Sequence, residues 1–183
     1  MRHGLHLHPD SICLAASHIE VDLERPEPGR LRLRYRVSGD IPRLRLPPVT
    51  ASARADDLWR TTCFEVFIRP GDSPAYYEFN FAPSTQWAAY GFSDRRTGMR
   101  VADEIAPPRV QVRTDPAGFE LEVLLNLEAR AFPPDRPWRL GLSAVIEDTG
   151  GGVSYWALAH PARQPDFHHP EAFALELAAI EFP

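Results

Sequence analysis

An antiparallel two-sheet β-sandwich of about ten strands, of the immunoglobulin-like or jelly-roll type, is the fold predicted from this sequence. Three observations carry that prediction. Apolar and polar residues alternate with a period of two along most of the chain. Turn signals built from Pro, Gly, Asp and Ser recur about every 8–12 residues. The 19 prolines exclude long helices, because a mid-helix proline costs about 3 kcal/mol. With 183 residues, 44% of them hydrophobic and 25% charged, the chain is long enough to bury one substantial core. It reads as a single domain over 1–183, without repeats, low-complexity tracts or linkers.

In chain order, His6-Leu7-His8 fits an edge strand. Ile19, Val21 and Leu23 then alternate with Glu20, Asp22 and Glu24, and a Pro-Glu-Pro-Gly turn leads to a strand over 31–37. Leu31, Leu33, Tyr35 and Val37 form its core side, which places Arg30, Arg32, Arg34 and Arg36 on the wet side of a half-buried strand. The proline-rich run 41–55 reads as an irregular edge segment. In 63–69, Phe64, Val66 and Ile68 oppose Cys63, Glu65 and Phe67. After the 70–74 turn, Tyr77, Phe79 and Phe81 oppose Tyr76, Glu78 and Asn80. Strands follow over 87–92, 108–114, 118–126, 138–147, 152–159 and 172–180, with a single helical turn near 126–132.

Composition excludes several functions. All 20 basic residues are arginine, which removes Schiff-base chemistry, a P-loop lysine and a lysine general base together. A net charge of −5 argues against a nucleic-acid partner. No run approaches the ~18 apolar residues of a membrane span. The first ten residues lack an apolar h-region, so a cytoplasmic protein with free Cys13 and Cys63 thiols is expected. Neither Gly-x-Ser-x-Gly, GxGxxG nor HExxH occurs.

The chemistry concentrates in two places. If Phe64, Val66, Ile68, Tyr77, Phe79 and Phe81 face the core, the hairpin's other face presents Glu65, Glu78 and Asn80 together, since same-face neighbours on adjacent strands have Cβ atoms roughly 4.5–8 Å apart. Trp59, Phe67, Tyr76, Trp87 and Tyr90 surround them in sequence, with Arg60, Arg95 and Arg96 nearby. This cluster reads either as a solvated face carrying surface ion pairs or as a polyol site. In the latter, carboxylates, amide and guanidinium bond hydroxyls while an aromatic ring stacks on the apolar sugar face. A glycosidase using Glu65 and Glu78 is a further alternative, because such enzymes need two carboxyl groups about 5–9 Å apart. The second constellation is 155–161 followed by 164–170, an aromatic strand running into a proline-braced loop with His160, Asp166, His168 and His169. It reads as a rigid or binding loop; its spacing, like that of His3, His6 and His8, matches no tight metal site. Non-covalent haem would need Met99 opposite His160 or His168.

The block Asp57-Leu58-Trp59-Arg60-Thr61-Thr62-Cys63-Phe64-Glu65-Val66-Phe67 is similar to one in bacterial DOMON-like proteins. So are 76–84 with 87–90, the later Tyr155-Trp156-Ala157-Leu158-Ala159-His160-Pro161 and Pro165-Asp166-Phe167-His168, and the opening Leu7-His8-Pro9 with 35–39. These proteins are related to family 9 carbohydrate-binding modules. The resemblance spans nearly the whole chain and implies a two-sheet β-sandwich that binds ligands, sugars in some branches and haem in others. It implies that Glu65, Glu78 and Asn80 occupy the positions of the glycan-binding polar residues and that Trp156 stacks, with Trp59 or Trp87 as its partner. The expectation is therefore non-catalytic binding of a small ligand, a carbohydrate, at micromolar-to-millimolar affinity. Arg60 or Arg96 would grip it, and His160 and His168 would close the rim. No catalytic residue, metal or required cofactor is expected. Haem binding, a Glu65/Glu78 hydrolase and an aromatic face docking another protein are the alternatives.

Overall fold

A computed structural model describes residues 1–161 and 163–180. Among them the chain forms β1 (Arg2–Leu7), β2 (Ala16–Glu24), β3 (Arg30–Gly39), β4 (Cys63–Pro70), β5 (Tyr76–Phe81) and β6 (Trp87–Phe92). It continues with β7 (Arg100–Val101), β8 (Arg109–Asp115), β9 (Gly118–Asn126), β10 (Trp138–Glu147), β11 (Val153–Ala157) and β12 (Leu175–Leu177). The only helical pieces among the described residues are short 3₁₀ turns at Ile41–Arg43, Leu58–Arg60 and Pro170–Ala172, each near prolines or a tight corner. No helix among them is long and apolar enough to cross a membrane.

The all-β antiparallel expectation holds, but hydrogen bonding does not break into two sheets. One 12-stranded sheet runs β7-β6-β5-β4-β10-β11-β1-β2-β3-β9-β8, with β12 added beside β10. The join is β1, whose first half pairs β2 through Leu5↔Ile19 while His6 and Leu7 pair β11. The sheet curls about this strand, so the inward faces of β3 and β9 meet that of β4. Phe64 lies 5.2 Å from the Tyr35 ring and 5.6 Å from the Phe119 ring, and Tyr35 OH donates to the Glu65 carbonyl at 2.7 Å. Leu31, Leu33, Val66, Ile68, Phe79, Phe81, Leu121 and Val123 complete this buried layer, each large side chain contributing about 1.5–3 kcal/mol.

The two outer faces differ. On the β2–β3–β9 side the alternating arginines are ion-paired across the strands: Arg34 Nε reaches Glu122 at 2.8 Å, and Arg36 Nε reaches Glu120 at 3.1 Å. Arg36 also pairs with Asp22, whose carboxyl Arg2 and Arg36 together hold down at about 2. This basic stripe is neutralised by its neighbours, and such exposed pairs contribute at most about 1 kcal/mol each. On the β4–β5–β6–β10 side the outward face is largely buried, with Arg139 at its exposed end. Phe67, Tyr76, Ala88, Tyr90, Phe92 and Phe173 form a second buried cluster, roofed by the segment 163–173. Gly141 makes that roof fit: a Cβ there would stand 3.1 Å from the Ala172 carbonyl oxygen.

Candidate functional site

Strand alternation sends Glu65 of β4 and Glu78 of β5 outward, beneath the roof. Glu65 sits directly opposite Asn80 on one side and Ser143 of β10 on the other, while Glu78 lies opposite Phe67 and Tyr90. Glu65 is 2% exposed, Glu78 7% and Asn80 fully buried. Asn80 Nδ2 donates to Glu78 Oε1 at 2.7 Å, and Ser143 Oγ donates to Glu65 Oε2 at 3.2 Å. Burial, together with the nearby Glu78 charge, pushes the Glu65 carboxyl well above the ordinary range despite the Ser143 hydrogen bond. Burial also raises Glu78, but the Asn80 amide and the Arg96 guanidinium pull it back.

The roof brings His168 down onto this floor. Tyr76 OH accepts from the Arg96 backbone N–H at 3.2 Å and lies 2.7 Å from His168 Nδ1, while His168 Nε2 stands 3.6 Å from Glu78 Oε2. Burial among Phe67, Tyr76 and Phe92, with Arg96 adding repulsion, lowers His168 to about 4, so its imidazole is neutral near pH 7. A charged clasp holds the roof: Asp166 pairs with Arg95 and, at 2.9 Å, with Arg96 NH2. Burial opposes that charge, but the two arginines outweigh it and keep Asp166 below the usual carboxylate range. Arg96 adopts φ 52°, the left-handed region that lets a tight turn between β6 and β7 present two successive arginines.

Floor and roof frame an open-sided cavity of about 370 Å³ lined by Glu65, Glu78, Val145 and Tyr155 below and Gln164, Pro165, Phe167, His168, Arg96 and Trp59 above and around. Trp59, on the 3₁₀ turn before β4, is 48% exposed. The cavity therefore combines two carboxyl groups, a guanidinium, an amide and a neutral imidazole with an accessible indole face. That is the donor and acceptor set of a small polar ligand with an apolar side.

Five of the ten residues singled out from the sequence line this cavity: Trp59, Glu65, Glu78, Arg96 and His168. Asn80 acts one step away, by orienting Glu78. The other four stand elsewhere. Trp156 and Trp87 belong to the main core, and Trp156 Nε1 donates to Ser154 Oγ at 3.3 Å. Both rings point inward because the phase of their strands puts them there, so neither can stack on a ligand in the cavity. Tyr155, the outward neighbour of Trp156, lines the cavity instead. Arg60 turns away to Asp57 at 3.2 Å, and His160 Nε2 lies 2.8 Å from the His6 carbonyl oxygen, edge-on to the His8 ring.

Met99 is 59% exposed and absent from the cavity lining, and both His168 nitrogens face protein groups. These residues do not supply the axial pair that the haem alternative requires. Among the described residues no three His, Cys, Asp or Glu side chains converge as metal ligands. Cys13 and Cys63 are free, Cys63 buried and Cys13 partly so.

Two solved structures repeat this architecture. A Bacteroides uniformis protein provisionally described as carbohydrate-binding superposes with a TM-score of 0.62 at 13% identity, covering 93% of this chain and 82% of that one. A family 9 carbohydrate-binding module from Caldicellulosiruptor kristjanssonii, in complex with cellotriose, gives a TM-score of 0.53 at 10% identity, covering 92% and 75%. This chain shares their fold. At such identities the likeness is one of fold alone. No protein-family model matches the sequence, and no curated protein matches it; the DOMON-like resemblance therefore rests on the motifs themselves.

Proposed function

We propose that this protein is a non-catalytic carbohydrate-binding domain whose ligand enters the cavity beneath the 163–173 roof. One observation carries the reading: the exposed indole of Trp59 borders a floor of two buried, hydrogen-bonded carboxyl groups. A pyranose presents an apolar face and a ring of hydroxyls, so it matches both surfaces at once. Glu78 accepts a hydroxyl, Glu65 in its protonated form donates one, and Arg96 and Gln164 reach the remaining oxygens. The kinship of fold with two proteins described as carbohydrate-binding supports the assignment.

The test is calorimetric titration of the full chain with a panel of monosaccharides and short oligosaccharides. Binding in the micromolar-to-millimolar range that weakens in Glu78→Gln is expected. No heat with any sugar on the panel overturns the reading.

A second reading draws on the two carboxyl groups, which line one cavity together and are both raised by burial. A glycosidase uses a pair of carboxyl groups, one as general acid. Turnover of chromogenic aryl glycosides that disappears in Glu65→Gln would establish it, and no turnover by the wild type excludes it for those substrates.

A further inference from the structure

The outward face of β10 continues past the cavity. Val145 lines the proposed sugar site, and Glu147 is the next residue with the same orientation, about 7 Å along the strand. On the opposite wall Trp59 borders the first cavity and Thr61, just past the same 3₁₀ turn, borders the second. Glu147 and Thr61 line a second cavity of about 420 Å³, closed by Arg45, Leu46, Pro47 and Pro48. Glu147 is held firmly there: its N–H donates to Thr62 Oγ1 at 3.2 Å, and its carbonyl accepts from the Arg45 N–H at 2.9 Å.

Its side chain is 8% exposed as a residue, and one carboxylate oxygen, Oε1, accepts from Arg45 NH1 at 2.6 Å. The other, Oε2, is buried without a hydrogen-bond partner among the described residues. A buried acceptor with no donor is uncommon in a folded protein and calls for a specific cause. Here the orphan belongs to a residue lining a cavity. That cavity has a rigid apolar wall of Leu46, Pro47 and Pro48 and an exposed guanidinium at its rim. The combination repeats the chemistry of the first cavity, with carboxylate, guanidinium and apolar surface again together.

We propose that this second cavity is a further subsite for the neighbouring sugar unit of an oligosaccharide whose first unit lies against Trp59, with the Glu147 carboxylate and the Arg45 guanidinium bonding its hydroxyls. The proposal rests on the carbohydrate reading and extends it from a monosaccharide to a linear chain.

The experiment compares the dissociation constants of linear α- and β-linked trisaccharides with those of their constituent monosaccharides, in the wild type, Arg45→Ala and Glu147→Ala. Arg45 has an exposed side chain, so its variant remains informative if Glu147→Ala folds poorly, which a thermal melt reports. The expected result is a trisaccharide bound about tenfold more tightly than the monosaccharide, with that advantage lost in either folded variant and monosaccharide affinity unchanged. Equal affinity for both ligands in the wild type overturns the subsite and leaves the carbohydrate reading standing. An advantage that survives both substitutions, or variants that weaken both ligands equally, also overturns it. No binding of any sugar overturns both.

Discussion

Replacing Trp59 by alanine separates ligand stacking from structural support more cleanly than any other change at this site. The indole is 48% exposed and stands on a 3₁₀ turn outside both buried clusters. A tryptophan side chain offers about 200 Å², so roughly 100 Å² remains available, and a stacked sugar would cover half to all of it. At about 25 cal/mol per Å², that is about 1.2–2.5 kcal/mol, or roughly a 10- to 70-fold weakening of binding. The protein itself should hardly notice. What is lost is a half-exposed ring and its contact with the Arg60 guanidinium 5.1 Å away, about 0.5–1 kcal/mol. Calorimetry for affinity and a thermal melt for stability read the two effects independently. Wild-type affinity in a fully folded Trp59→Ala protein would refute the stacking role. A collapsed melting temperature would refute the claim that Trp59 lies outside the core. By contrast, Trp156→Ala should cost about 3–5 kcal/mol as a core deletion and says nothing direct about ligand.

Three further outcomes follow from the same geometry. Because burial raises the Glu65 carboxyl, the folded state holds a proton that the unfolded state releases above about pH 4.5, so stability falls as pH rises from there. Glu65→Gln removes that loss, gaining about 1.4 kcal/mol over the wild type per unit of pKa separation between the two states; an equal effect at pH 4 and pH 8 in chemical denaturation would contradict it. Asp166→Ala releases the clasp to Arg95 and Arg96, and these partly exposed pairs are worth at most about 1 kcal/mol. Amide exchange should therefore quicken across 163–173 with little change in melting temperature, and unchanged exchange would show that the aromatic contacts alone hold the roof. Phe64→Ala, at a fully buried ring between Tyr35 and Phe119, should lower unfolding free energy by about 3–5 kcal/mol, and a loss under 1 kcal/mol in urea denaturation would mean that the sheet does not close over this ring.

Much of the architecture was legible because strand alternation is a local property. The opposed sets in β4 and β5 follow directly from a period of two, and they put Glu65, Glu78 and Asn80 on one face. The aromatic partner was misplaced because Trp156 was taken from the family resemblance, which does not set the phase of β11. Trp156 and Tyr155 are adjacent, both are aromatic, and only one faces the cavity. Tyr155 sits beside Val145 in the β10–β11 hairpin, and that hairpin reaches the Glu65 floor only because β10 pairs with β4, far away in sequence. Trp87, the other partner the resemblance offered beside Trp59, could not be placed from sequence, because β6 is buried on both faces and has no wet side to set its phase.

By itself the sequence determined an all-β antiparallel chain, the faces of its central hairpin, the absence of lysine chemistry and an arginine stripe on a half-buried strand. These are consequences of side-chain period and composition, which act between near neighbours. Only the tertiary structure decided that β1 joins both halves of the sheet, and that the polar face of the hairpin is roofed rather than solvated. It also decided that Asp166 meets Arg95 and Arg96 across about 70 residues of chain and that Glu147 is left with an oxygen unpartnered. Burial and long-range pairing set the protonation of Glu65, Glu78 and His168, and neither can be read from a residue's neighbours along the chain. A surface carrying two glutamates thereby becomes the floor of a roofed, open-sided cavity.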